Sequence, residues 1–218
     1  MNKRFDFDKE KQNKFEYIIG TDEAGRGPGA GPVFAAAVCF KNLDKNLKNQ
    51  LEKLNDSKQI SEKTRDELFD VIINTSIYSI HQGSVEEIEK FNILKTSLLT
   101  MKKACNETAL KLNSEKILVL VDGNKKIPDF SFPQETIVKG DSKSAAVAAA
   151  SVLAKVSRDR FMKELDKEFP QYNWAENKGY MTKSHLEAVD KYGLTKWHRK
   201  KFFLKHFEKS EQLSLFGI

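Results

Sequence analysis

Cysteine is nearly missing from this chain: only Cys39 and Cys105 occur among 218 residues. Both lie within apolar patterns, so they read as reduced core residues of a cytosolic protein rather than as a disulfide. Cysteines and histidines nowhere show the spacing of a zinc site. Also lacking is any unbroken apolar run of the roughly 18 to 20 residues that a membrane span needs. The stretch 1–15 is charged and has no apolar signal core, which predicts a cytoplasmic protein that is neither exported nor membrane-bound. The length suits one sizeable domain with a small appendage and requires no division into two.

Acidic residues are the minority charge, with 31 Asp and Glu against 37 Lys and Arg, a net +6. The surplus is local. From 173 to 209, nine Lys or Arg stand against four acids, and Tyr180, Tyr192, Trp197, Phe202 and Phe203 are interleaved with them. Such a concentration is the electrostatic footprint of a polyanion partner, although a solvated helix face carries lysines in the same way.

Against this background the acids that are present fall in telling places. Thr21-Asp22-Glu23-Ala24-Gly25-Arg26-Gly27-Pro28 puts two adjacent acids at the end of an apolar strand and then a Gly-Arg-Gly turn. Neighbouring side chains on a strand point to opposite faces, so the two acids share a site only where the strand ends or bends. Gly25 and Gly27 supply a break that lets a ligand approach the backbone, and Arg26 offers a planar fork of donors suited to phosphate. The arrangement suggests metal-dependent phosphodiester chemistry. Ile117 to Val121 reads as a buried strand ending in Asp122-Gly123-Asn124, and Glu135 to Lys139 as another that closes at Gly140-Asp141. Singly, each acid fits a helix cap or a turn equally well. Together, acids at the ends of buried strands converge on one edge of a sheet, where open α/β proteins place their sites.

Periodicity gives the rest of the frame. Tyr17 to Gly20 and Pro32 to Phe40 read as strands flanking the turn, and Ile77 to His81 as a third. One long helix is expected after the Ser84/Glu87 capping box, with Ile88, Phe91, Leu94, Leu98, Met101 and Cys105 at helical spacing. A second runs from Ser144 to Glu168 and begins with alanines that permit close packing on the sheet.

These motifs, in order, closely resemble those of the type 2 ribonucleases H, specifically the bacterial ribonuclease HII family. The matching segments are Gly20 to Pro28 with Ala30-Gly31-Pro32-Val33, Asp56-Ser57-Lys58, Val121 to Asn124, Lys139-Gly140-Asp141, Ala148 to Asp159, Lys178-Gly179-Tyr180 and His198-Arg199. The Gly-Arg-Gly element distinguishes them from the type 3 enzymes. The resemblance spans Tyr17 to about Phe203. It implies an α/β ribonuclease H-like fold, a central mixed sheet flanked by helices. The expected division is a tail over 1–15, a catalytic core over 16–170, a basic helical subdomain over 171–209 and a flexible tail over 210–218.

By the same resemblance, Asp22, Glu23, Asp122 and Asp141 are the carboxylates that hold two divalent ions, Mg2+ or Mn2+, for hydrolysis on the 5′ side of a ribonucleotide. Gly25, Arg26 and Gly27 are the implied readers of the 2′-hydroxyl, assisted by Tyr180 at the sugar. The implied partners are RNA/DNA hybrids and DNA with embedded ribonucleotides, met by a monomer. Lys58 corresponds to a basic substrate contact, and Lys143 and Ser144 are candidates either for placing a charge and helix-end amides near a phosphate or, equally, for capping the helix. Asp159, between Arg158 and Arg160, reads as a structural ion-pair partner. Three departures stand out. Asn177 replaces the usual histidine, Gly29 replaces a common leucine and is expected to loosen the turn, and 169–174 matches its counterpart only loosely. Gln212-Leu213-Ser214-Leu215-Phe216 resembles the extended peptide by which bacterial repair enzymes dock on the sliding clamp, with Gln212 fixing register and Leu213, Leu215 and Phe216 supplying apolar contacts. A different ribonuclease H-like nuclease and a catalytically silent nucleic-acid-binding module are the rival readings, and the intact acid quartet argues against the second.

Overall fold

The computed structural model describes residues 3–42, 44–52, 54 and 60–215, with side chains as far as 208. Five strands form one mixed sheet in the order β3-β2-β1-β4-β5. β1 (Tyr17–Ala24), β2 (Val33–Cys39) and β3 (Ile77–Gly83) are an antiparallel meander. β4 (Ile117–Asp122) then pairs parallel to β1, and β5 (Gln134–Ile137) parallel to β4. The expected last strand is cut short because Lys139 takes a left-handed conformation, φ 56°.

The first helix, α1 (Lys3–Lys11), lies where a tail was expected. Its polarity hides its anchors. Phe5 is buried against Phe40, and Asp8 is buried and accepts the Ala146 amide at 2.9 Å. α2 (Lys45–Gln50) and α3 (Glu62–Thr75) follow β2, and Asp56, Ser57 and Lys58 lie outside the described residues. The capping box of Ser84 and Glu87 is present and starts α4 (Val85–Phe91), but the single long helix expected from it is broken. Asn92, at φ 70°, caps the end of α4 and turns its side chain to the Lys95 amide at 3.0 Å, opening α5 (Ile93–Leu112) as a separate helix.

The sheet is covered on both faces, and strand alternation decides which side chains go where. Ala35, Ala37 and Cys39 pack with Ile19, Val119, Val121, Met101 and Cys105 on the α5 side. Ala36 and Val38 pack on the other side against α6 (Ala145–Glu168), whose first turns are almost all alanine. Small residues let α6 approach very closely: a Cβ on Gly20 would lie 2.2 Å from main-chain atoms of Ala146 and Val147. Cys39 and Cys105 are free, buried thiols. Burial pushes both up to about 12, so neither is a poised nucleophile.

Beyond α6 come α7 (Trp174–Asn177), α8 (Lys183–Tyr192) and α9 (Lys200–Leu215). Their core is aromatic, with Tyr172 stacked on Trp174 at 5.0 Å and Phe203 buried nearby, and it shares Met162 and Leu165 with the end of α6. This helical part is therefore continuous with the domain. It also reaches the turn after β1 directly, since Ala30 and His198 form an antiparallel bridge. The backbone is helical through Leu215 where an extended peptide was expected; Phe216 lies outside the described residues. Among the described residues no helix is long and apolar enough to cross a membrane.

Candidate active site at the open end of the sheet

Parallel strands β1 and β4 end side by side, and their acids end with them. β1 does not stop before its acids, as expected, because Asp22 and Glu23 stay paired with Ala36 and Ala35 of β2. What stops is the pairing with β4, whose last register is Thr21 with Val121. The two acids therefore keep opposite faces and flank the gap where β1 and β4 part. Asp22 goes to the α6 side, where Ser151 hydrogen-bonds it, and Glu23 to the α5 side among Leu94, Leu98 and Met101. Asp122 comes from β4, with one carboxylate oxygen accepting the Gly140 amide at 2.7 Å. Asp141 follows on the 3-10 turn Gly140–Ser142, and its carbonyl accepts from Arg4 Nε at 2.8 Å.

All four acids line one cleft of about 260 Å³, together with Ala24, Gly25, Arg26, Gly27, Ser151, Lys155, Arg158 and Tyr180. Crowding is evident in Asp22. Burial, then the nearness of Glu23 and Asp122, push its carboxyl well above the usual carboxylate range, against hydrogen bonds from Ser151 and the Glu23 amide. A hard cation with oxygen preference relieves such repulsion, and the donor set is all oxygen, so the residues fit divalent ions. Among the described residues no three His, Cys, Asp or Glu side chains form a ready-made cage. The quartet is an open set of oxygen donors facing a cleft.

Ser151, Lys155 and Arg158 escaped the reading of the sequence. Their signal was present: polar residues at i, i+4 and i+7 in an alanine-rich helix share one face. Lys155, which burial holds below the usual lysine range, pairs with Asp159 at 2.6 Å. Asp159 is thus an ion-pair partner, though of Lys155 rather than of the flanking arginines; Arg160 pairs with Asp66. Arg158 is buried and donates only to carbonyls, those of Pro32, Lys178 and Ala30. It explains the glycine at 25, where φ is 101° and a Cβ would lie 2.2 Å from Arg158 Nε.

Tyr180 is half exposed on the rim, and a Cβ on Gly27 would lie 3.4 Å from its Cε1, so ring and turn are in contact. Asn177 shapes the tyrosine's approach by donating to the Tyr172 carbonyl and accepting the Gly179 amide. Gly29 leaves no slack, because the space for a side chain there is filled by Met181 and Phe203 at 2.8 and 2.9 Å. Of the two readings of Lys143 and Ser144, the structure shows the capping one at Ser144. Ser144 is buried as the N-cap of α6, its hydroxyl accepting the Val147 amide while Asp8 takes that of Ala146, so this helix end offers no open anion site. Lys143 is exposed beside it but does not line the cleft.

Behind Tyr180 lies a buried histidine pair. His198 Nδ1 accepts the Thr195 amide at 2.9 Å, which places its proton on Nε2, facing His185 Nε2 at 3.2 Å. His185 also accepts from Trp174 Nε1 and donates through Nδ1 to the Tyr180 carbonyl at 2.8 Å. Burial, then His185 beside it, push His198 down to about 3. A histidine depressed in the folded state gives stability that is present above the ordinary histidine pKa and lost as pH falls below it. The loss should reach about 2 kcal/mol by pH 5. Thermal unfolding between pH 7 and 5 checks this against His198→Gln, which should show a shallower slope; equal slopes would exclude the effect.

Comparison with known proteins gives the family of the chain. The family model described as ribonuclease HII matches residues 19–209. The ribonuclease HII of Fusobacterium nucleatum is 44% identical over 200 residues, covering 91% of each chain. Among solved structures, the ribonuclease HII of Archaeoglobus fulgidus, determined as a complex with PCNA, superposes with a TM-score of 0.67 at 26% identity over 84% of this chain and 93% of that one. The Bst ribonuclease HIII solved with Mn2+ shares the fold at a TM-score of 0.64, with 17% identity over 84% and 65% of the two chains.

Proposed function

Starting from the ribonuclease HII family, to which this chain belongs as a ribonuclease H hydrolase, we propose that it cuts the phosphodiester bond 5′ to a ribonucleotide, in RNA/DNA hybrids and in DNA with a single embedded ribonucleotide. The products are a 3′-hydroxyl and a 5′-phosphate, and the role is removal of ribonucleotides and RNA from DNA in the cytoplasm. One observation carries the reading: four acids, the Gly25–Gly27 turn and Tyr180 share a single cleft.

Asp22, Glu23, Asp122 and Asp141 would hold two divalent ions, Mg2+ or Mn2+. Bound there, such ions supply an activated water and neutralise charge at the leaving 3′ oxygen. The chain's own residues do the rest. Ser151 orients Asp22. Lys155, paired with Asp159, and Arg26, bonded to Glu23 at 3.3 Å, are cations at the cleft wall that would face the phosphate backbone. The turn approaches the sugar edge closely because glycine carries no side chain, and the ring of Tyr180 packs beside it. The 2′-hydroxyl is what tells ribose from deoxyribose, so this pair of elements sets the substrate.

DNA duplexes carrying none, one or several ribonucleotides, incubated with Mg2+ and Mn2+ in turn, test the reading. Cleavage at the 5′ side of each ribonucleotide is expected; equal cutting of the all-DNA duplex would overturn it. That the A. fulgidus enzyme was solved with PCNA supports a sliding clamp as partner; Gln212, Leu213, Leu215 and Phe216 are the residues proposed for that contact. Removing residues 211–218 should leave cleavage of short duplexes unchanged and abolish clamp retention on a sensor surface, and full retention would rule the peptide out.

A further inference from the structure

Arg199 is fully buried and, among the described residues, makes no salt bridge to a carboxylate; all its side-chain hydrogen bonds go to carbonyls of one turn. Nη2 donates to Gly25 at 2.7 Å and to Gly31 at 2.8 Å, Nε to Gly31 at 2.9 Å and Nη1 to Arg26 at 3.3 Å. Its own amide donates to the Gly29 carbonyl at 2.8 Å. A buried guanidinium whose hydrogen bonds all go to carbonyls, with the Glu89 carboxylate near it but not bonded to it, is an expensive way to stabilise a fold, since apolar packing would serve as well. What the guanidinium does supply is shape. With the Gly25 and Arg26 carbonyls drawn toward Arg199, the trans peptide geometry turns the amides of Arg26 and Gly27 the opposite way. A planar fork fixes those directions as a single point charge could not.

The residue before it holds the other half of the reader. His198 meets His185, and His185 Nδ1 pins the Tyr180 carbonyl. Two adjacent residues thus hold the turn and, through His185, the tyrosine that rests on it. We propose that Arg199 and His185 are positioning residues that set the spacing between the Gly25–Gly27 turn and Tyr180, and thereby the preference for ribose. The inference rests on the reading that these two elements sense the sugar.

The test measures binding, not turnover, in an Asp122→Asn parent: Kd for a duplex with one ribonucleotide and for the same duplex in all-DNA form. Adding Arg199→Lys, which keeps the charge but not the fork, should shrink the ratio of the two Kd values by about fivefold or more. The change should fall on the ribonucleotide duplex. His185→Leu should shrink the ratio likewise, and His185→Asn, whose amide stands in for Nδ1, should restore most of it. A purely structural role lowers melting temperature and active fraction but leaves the ratio intact. An unchanged ratio in both Arg199→Lys and His185→Leu, or equal weakening on both duplexes, overturns the proposal. A parent that binds both duplexes equally overturns the ribose reading itself, and this inference with it.

Discussion

With Asp122 as a proposed metal ligand, Asp122→Asn is expected to lower kcat by about a thousandfold or more while leaving Kd for the duplex within about threefold, because a metal ligand is worth several kcal/mol in the transition state and little to the bound ground state. The substitution is nearly isosteric. Its amide oxygen can still accept the Gly140 amide, which Asp122 takes at 2.7 Å, so the β4 terminus should keep its shape. Duplex contacts should persist because Arg26, Lys155 and Tyr180 reach the cleft independently of β4. One negative charge fewer beside Asp22 also eases the repulsion that now raises its carboxyl. Turnover in ribonucleotide-containing duplex with saturating Mg2+ or Mn2+, paired with a binding isotherm, decides the matter. Cleavage at the normal rate would remove Asp122 from the catalytic set.

Gly20→Ala should have the largest effect on stability of any single methyl addition. Its Cβ would lie 2.2 Å from the Ala146 carbonyl carbon and the Val147 nitrogen, and 2.7 Å from the Ala146 oxygen. Those are main-chain atoms inside a helix, so no rotamer change relieves the overlap. α6 must back away from β1, opening the alanine layer, at a cost of about 3 kcal/mol or more. For a chain of this size that corresponds to a melting temperature lower by about 10 °C. The same retreat would pull Ser151 from Asp22, so activity per folded molecule should fall as well. A variant that melts with the wild type would show that helix and sheet are not in the contact described.

The four acids were legible only together, because each ends an apolar strand or its following turn and such ends meet at one edge of a sheet. The sheet and its helices were legible for the same periodic reason. Other features stayed hidden for identifiable causes. Asn92 looks like any polar residue on a helix face, and only its positive φ splits α4 from α5. The α1 segment carries seven charges in nine residues, which concealed the burial of Phe5 and Asp8. The sequence left Ser144 open between a phosphate site and a helix cap because a helix start serves as either; here Asp8, from the N-terminal helix, already occupies it. Arg199 was counted with the basic surface, since composition records a charge and not its depth, yet it is wholly enclosed.

Arg199 and Gly25 are 174 residues apart. During translation the chain therefore emerges with all four carboxylates long before the guanidinium that braces the first turn. Ribosome-bound fragments lacking that arginine carry every acid the cleft needs, while the Gly25 and Arg26 carbonyls wait on water. The brace can be laid across the turn only after residue 199 has been added, 58 residues beyond Asp141.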